Sequence, residues 1–332
     1  MPLPAHPLAL GRHIPGAWVA PVASALDRGQ QGKVEAFLSS DQARWTADGD
    51  LVAQATRTNG DDPGTAELDA AVDRAARQWL ARLRALPFQG DAGTWQRLAA
   101  HLDGWVRSER SEILESRWLP EPLRRFEMAT LDRANRQFGS YALWADRVAS
   151  LLADRPAPHV VDLAAGSGGF LRWVAAHRRD IGWRMTATDL EGEFVAQGHA
   201  LAQRAGVPVQ FERRDATRIG VFDPPADLFV CTQSAHHMPP GVLVRMMASA
   251  MASAPAGLWL VDIARGIGHA VGIGLGTATS IPFPPLMLDG MQSSRRAYSG
   301  AELHLLARLA GARTVMVEAL GPVHVVLHAV GT

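Results

Sequence analysis

The stretch Val160-Val161-Asp162-Leu163-Ala164-Ala165-Gly166-Ser167-Gly168-Gly169-Phe170 decides the fold. It begins as a short apolar strand, His159 to Leu163, passes through a glycine-rich turn, and opens a helix over 170–179. Gly166 and Gly168 permit a tight turn and close backbone approach, and the helix N-terminus presents unpaired N–H groups to an anion. By itself such a turn serves either a dinucleotide or nothing more than a change of direction.

Downstream, strands alternate with helices. The pattern predicts strands at 183–189, 209–212, 226–232 and 258–262, with helices ending near Ala205, over 240–254 and over 301–310. Alternation of this kind means a parallel sheet flanked by helices on both faces. The last two strands, 314–319 and 323–330, are separated only by Leu320-Gly321-Pro322. A parallel return needs a long crossover, so this pair must be an antiparallel hairpin. The expected fold is α/β, a Rossmann-like doubly wound sheet with a C-terminal antiparallel hairpin.

Upstream of Pro156 the chain changes character. Residues 1–60 are weakly patterned and rich in turn-formers, and 58–64 is a strong loop signal. A helix over 66–86 places Leu68, Val72, Ala75, Ala76, Trp79, Leu80 and Leu83 on one face. A second is expected after Thr94, and a third runs without interruption over 123–152. This gives a mainly helical accessory or lid region, residues 1–150, before a catalytic domain, residues 151–332. The uncharged, glycine- and proline-rich run 266–288 is long enough to span a bilayer. Its composition favours a mobile apolar segment over a pocket, and no membrane span is expected.

Charge excludes some partners. The 332 residues carry 33 Lys+Arg against 33 Asp+Glu, a formal net charge of zero. Nucleic acid or an anionic membrane would favour a basic excess. The single cysteine, Cys231, rules out a disulfide framework or a thiolate zinc site. Cys231 reads as a buried small hydrophobe on the fourth strand. A reducing, cytoplasmic setting is the simplest reading, and no signal peptide is expected at the N-terminus.

Acidic residues follow the glycine turn at telling positions. Asp189 ends the second strand, where a carboxylate can accept both hydroxyls of an adenosine ribose. Asp215 follows the third strand, where an adenine would lie. With these residues in order, 156–332 resembles the class I S-adenosylmethionine-dependent methyltransferases. Asp227 to Pro239, with its His236-His237 pair, and the run Arg295 to Tyr298 resemble the quinone- and phenol-type small-molecule members.

That resemblance implies roles. Asp162 would orient the loop and the cofactor's ammonium, and Gly166 and Gly168 would pass its methionine part. Ala164 stands where the family more often has glycine. Asp189 would hold the ribose, Leu190 would flank the adenine, and Asp215 with Ala216 would meet its edge. Thr232 and Gln233 would face the sulfonium of S-adenosyl-L-methionine. His236 or His237 is the candidate base, since an imidazole near neutrality suits proton removal from a phenol or enol; the alternative is one packed and one solvated histidine. Tyr141, Trp144, Phe283, Met287 and Met291 either line an acceptor pocket or are plain core. Arg295 and Arg296 either bind an acidic group or form salt bridges.

The expected function is methyl transfer to a small-molecule acceptor, O-methylation of a phenolic, quinol or polyketide-like compound first. An NAD(P)-dependent oxidoreductase would use the same loop and Asp189. A methyltransferase fold without methyl transfer is the third reading. No aromatic tetrad of the DNA-adenine type follows strand four, so nucleic acid is not an expected partner; a homodimer stays open. No metal site is expected, because no two histidines stand at ligand spacing beside a carboxylate.

Overall fold

The structure is a computed structural model, and it describes residues 28–58, 64–86, 108, 112, 120–265, 284–321 and 323–331. Its centre is a seven-stranded sheet of order β3-β2-β1-β4-β5-β7-β6. The strands are β1 His159–Asp162, β2 Arg184–Asp189, β3 Gln210–Arg213, β4 Leu228–Thr232, β5 Leu258–Ile263, β6 Thr314–Leu320 and β7 His324–Val330. The first five run parallel, and β7 enters antiparallel between β5 and β6, with Leu260 opposite Leu327. Strand order reverses beside β1, so the loops after β1 and β4 diverge and leave a crevice at their carboxyl ends.

Alternation along the strands feeds two cores. Val161, Phe229, Cys231, Leu258, Leu260 and Leu327 point to one face, and Val160, Leu228, Val230, Trp259, Val261 and Val326 to the other. Helices α5 (Ser140–Leu151) and α6 (Gly169–His177) cover the second face through Trp144, Val148, Phe170 and Val174. The first face receives α8 (Pro240–Ser253) and α10 (Gly300–Leu309), and over them α3 (Thr65–Ala85). The face of α3 expected from its spacing is the one used: Val72, Ala75, Ala76, Trp79 and Leu80 are buried, with Leu68 and Leu83 packed at the margin. Helix α7 (Gly192–Ala205) follows β2, and α9 (Pro284–Arg296) precedes α10.

Two expectations change upstream of β1. The turn-rich segment before residue 60 contains α1 (Arg28–Ser39) and α2 (Gln42–Arg57), which contribute Val34, Leu38, Val52 and Ala55 to the first core. Their weak sequence patterning reflects how few positions each helix buries. Phe37 and Trp45 pack edge-on against Trp79. The long helix over 123–152 is in fact two, α4 (Glu121–Gln137) and α5, because Gly139 takes a left-handed φ of 73° that breaks the helical hydrogen-bond ladder. The helix expected after Thr94 and most of the apolar run 266–288 lie outside the described residues; 284–288 belong to α9. Among the described residues no helix is long and apolar enough to cross a membrane.

Candidate active site

The turn after β1 is held by the strands on either side. Ala164, Gly166 and Gly168 all have positive φ, of 51°, 55° and 69°. The Gly166 N–H donates to Oδ2 of Asp189 at 2.8 Å, and the Glu191 N–H to Oδ1 of the same carboxylate at 2.9 Å. From the β4 side, the Ser234 hydroxyl donates to the Ala164 carbonyl at 2.8 Å. Asp189 therefore ties the β1 turn to the β2 turn while each of its oxygens retains a lone pair for a ligand hydroxyl. Burial raises its pKa, and its backbone hydrogen bonds offset part of that rise.

A cavity of about 720 Å³ opens at these strand ends. Of the residues expected in the site, Ala164, Gly166, Asp189, Thr232, Gln233, His236 and His237 line it. Gln233 has a φ of 54°, and its side-chain oxygen accepts from Asn135 at 2.7 Å, which aims this residue across the cavity. Tyr141 and Trp144 also stand on the wall.

The other expected residues sit off the wall. Asp162 is buried behind the turn, where Thr232 donates to Oδ2 at 3.4 Å and Oδ1 has no partner. Burial pushes this carboxyl well above its usual range. Gly168 starts α6, and a Cβ there would lie 2.6 Å from the Phe211 ring, so it serves packing. Leu190 is exposed. Asp215 accepts from the N–H and hydroxyl of Thr217, both at 2.8 Å, and Ala216 packs against the first core. Met291, Arg295 and Arg296 are not on the wall either; the Arg295 guanidinium meets Gln292 at 3.4 Å. Phe283 and the Met287 side chain lie outside the described residues.

The far end of the cavity is built around the histidine pair, which occupies a short 3₁₀ turn after β4. His236 is buried, and its Nδ1 donates to Asp262 at 2.7 Å. The second Asp262 oxygen accepts the His236 backbone N–H at 2.8 Å. Nε2 of His236 lies 3.4 Å from Glu112, whose other oxygen is 3.8 Å from Nε2 of His237. Burial alone would lower the pKa of His236, but the charges of Asp262 and Glu112 outweigh it and push the imidazole up to about 10. His237 is about one-third exposed and faces the cavity. Two further acids, Glu127 on α4 and Asp289 on α9, line the same end. Burial, followed by the charge of Asp289, raises Glu127 to about 8.

Sequence reading missed Glu112, Glu127, Asp289 and Asn135. All four come from segments far from the glycine motif, and no local pattern marks them. The acid at 127 lies on a helix rich in charge, where a solvated face is the ordinary assumption.

Residues 160–255 match the model of a family described as "Methyltransferase domain". No curated protein sequence matches the chain. The solved structure of the plantazolicin methyltransferase BpumL in complex with a monoazolic desmethylPZN analog and SAH superposes with a TM-score of 0.51 at 11% identity, over 72% of this chain and 100% of that one. The same methyltransferase in complex with SAH gives a TM-score of 0.50 at 11% identity over the same shares. Magnesium protoporphyrin IX methyltransferase (ChlM) from Synechocystis PCC 6803, with bound SAH, gives 0.40 at 17% identity, over 78% of this chain and 97% of that one. Motif, sheet order and the BpumL superposition define a class I, S-adenosylmethionine-dependent methyltransferase fold. The family match covers residues 160–255, under a third of the chain, from β1 to just past α8.

Proposed function

We propose that this protein transfers the methyl group of S-adenosylmethionine to a hydroxyl oxygen of a small-molecule acceptor of phenolic, quinol or polyketide-like character. The observation that carries the reading is one cavity with two chemically distinct ends. The β1 turn and Asp189 form one end, and His236, His237 and Glu112 form the other.

The residues fit the cofactor. Gly166 presents bare backbone to the cavity, where a Cβ would already meet the Met128 side chain at 2.9 Å. Asp189 offers free lone pairs toward a ribose. Asp162, buried behind the turn with an orphaned Oδ1, would support the turn from behind, with its Oδ2 accepting from Thr232. When bound, the cofactor supplies an electrophilic methyl on a sulfonium. Displacement at such a carbon needs little covalent help. The protein's part is to align the acceptor oxygen with the methyl, exclude water, and take the hydroxyl proton. Thr232 and Gln233, at the end of β4, line the same cavity, and in this reading they align the acceptor. In this reading His237, with Glu112 beside it, takes the acceptor's proton, and Asp262 holds His236 in place.

Calorimetry with SAH, S-adenosylmethionine and NAD tests the cofactor assignment. Binding of the first two without NAD is the expected result; tight binding of NAD alone would overturn it. Transfer of label from S-adenosylmethionine to a panel of phenols and quinols, against amines as a control set, tests the acceptor class.

A further inference from the structure

We infer that Glu112, His236 and His237 bind a divalent transition cation, Zn²⁺ before Mg²⁺, at the acceptor end of the cavity. One carboxylate oxygen and one nitrogen from each ring all lie within 4.8 Å of one another. Nε2 of His236 is 3.4 Å from one Glu112 oxygen, and Nε2 of His237 is 3.8 Å from the other. Ligands held at about 2.0–2.2 Å from a tetrahedral cation stand about 3.4 Å apart, so only a small side-chain rotation separates this cluster from a three-ligand shell.

The supporting groups are already in place. Metal-binding histidines usually donate their second ring N–H to a carboxylate, which fixes the tautomer and turns the other nitrogen's lone pair outward. His236 does this through Nδ1 to Asp262 at 2.7 Å, and an ion at Nε2 would displace the proton that the raised pKa holds there. Glu112 is oriented in turn by the Ser293 hydroxyl at 2.6 Å.

A second observation points independently to a cation. Glu127, only 2% exposed, lines the same end of the cavity, and its Oε1 has no hydrogen-bond partner. With Asp289, Glu112 and Asp262 nearby, carboxylates outnumber imidazoles at this end, although the whole chain is neutral. A doubly charged ion offsets that excess. Two imidazoles with one carboxylate suit Zn²⁺ or Fe²⁺, whereas Mg²⁺ prefers oxygen ligands. Three protein ligands leave a coordination position open to the cavity. An acceptor hydroxyl, or a carbonyl beside it, would occupy that position; this role rests on the methyl-transfer reading, but the ion site does not.

The test uses the untagged full-length protein, stripped with EDTA and desalted, titrated with Zn²⁺ by calorimetry and with Co²⁺ by visible absorption. The expected result is one ion per chain, with affinity reduced about 100-fold in His237→Ala and in Glu112→Gln. His199→Ala, an exposed control on α7, retains it. Retained SAH affinity shows that each variant is folded, and His237→Ala covers the case in which the buried Glu112 variant is not. No bound ion, or wild-type affinity in both variants, would overturn the site. Failure of the stripped wild type to bind SAH would instead sink the methyl-transfer reading and leave the ion titration standing.

Discussion

Arg84 on α3 donates to Oε1 of Glu302 on α10 at 2.6 Å, while Arg265 donates to the other oxygen at 2.6 Å. The same carboxylate completes a capping box, accepting the Ser299 N–H at 2.8 Å at the start of α10. One buried acid thus joins a helix of the N-terminal region, the end of β5 and the helix before the final hairpin.

Burial alone would raise the pKa of Glu302, but Arg265 and Arg84 outweigh it and hold the carboxyl below its ordinary value of 4.5. A carboxyl lowered on folding stabilises the protein fully above the ordinary value, and that stability is lost as pH falls through the folded value. Glu302→Gln should therefore lower stability at neutral pH by about 3–5 kcal/mol. The gap in melting temperature from wild type should narrow as pH drops from about 6 to about 3. Thermal unfolding across that range checks it, and a gap independent of pH contradicts the assignment.

Asp189→Ala removes the carboxylate that joins two turns and lines the cavity, where the proposed reading puts the ribose. SAH affinity should fall by about 1–3 kcal/mol, as for a charge-assisted hydrogen-bond pair. Calorimetry measures it, with unchanged affinity refuting the ribose role.

Gly168→Ala meets two penalties, a left-handed φ of 69° and a Cβ 2.6 Å from the Phe211 ring. Gly206 has a similar φ of 63° but open space around it. Gly206→Ala should cost about 1 kcal/mol in strain. Gly168→Ala should cost about 1–3 kcal/mol more, from overpacking. Denaturant unfolding of the pair separates strain from clash; equal losses would show that Phe211 moves aside freely.

The two adjacent histidines should respond differently to alanine. His236→Ala leaves Asp262 and Glu112 buried without their shared partner, at a stability cost of about 3–5 kcal/mol. His237→Ala, at a partly exposed position, should melt close to wild type and lose methyl transfer by about 10²–10⁴-fold. Melting curves beside single-turnover rates distinguish them, and two variants with native rates would reduce both histidines to structural roles.

Periodicity carried much of this fold because the first five strands run parallel and the sheet is covered on both faces. Most buried strands read as short apolar runs and α3 as a 3.6-residue stripe, and Trp79 fell on the face so identified. Helices α1 and α2 did not stand out, because each buries only a few residues and lies among turn-formers. The break at Gly139 was hidden because one glycine inside an apolar pattern reads equally well as a tolerated interruption.

The part of the cavity built by the β1 turn, Asp189 and the end of β4 was legible from local order alone. Glycine turn, strand-end acid and strand-four polar pair are each fixed by their place on consecutive βα units, so spacing along the chain is spacing in the crevice. The acceptor end was not. Glu112 reaches His236 and His237, and Glu127 and Asp289 line the same cavity, only once α4, α9 and Glu112 come together beside the turn after β4, and no sequence period links them. Local sequence specified elements and their register through short-range sterics and hydrophobic burial. Which carboxylates crowd the histidines was decided by long-range packing alone, and with it the charge of the acceptor pocket.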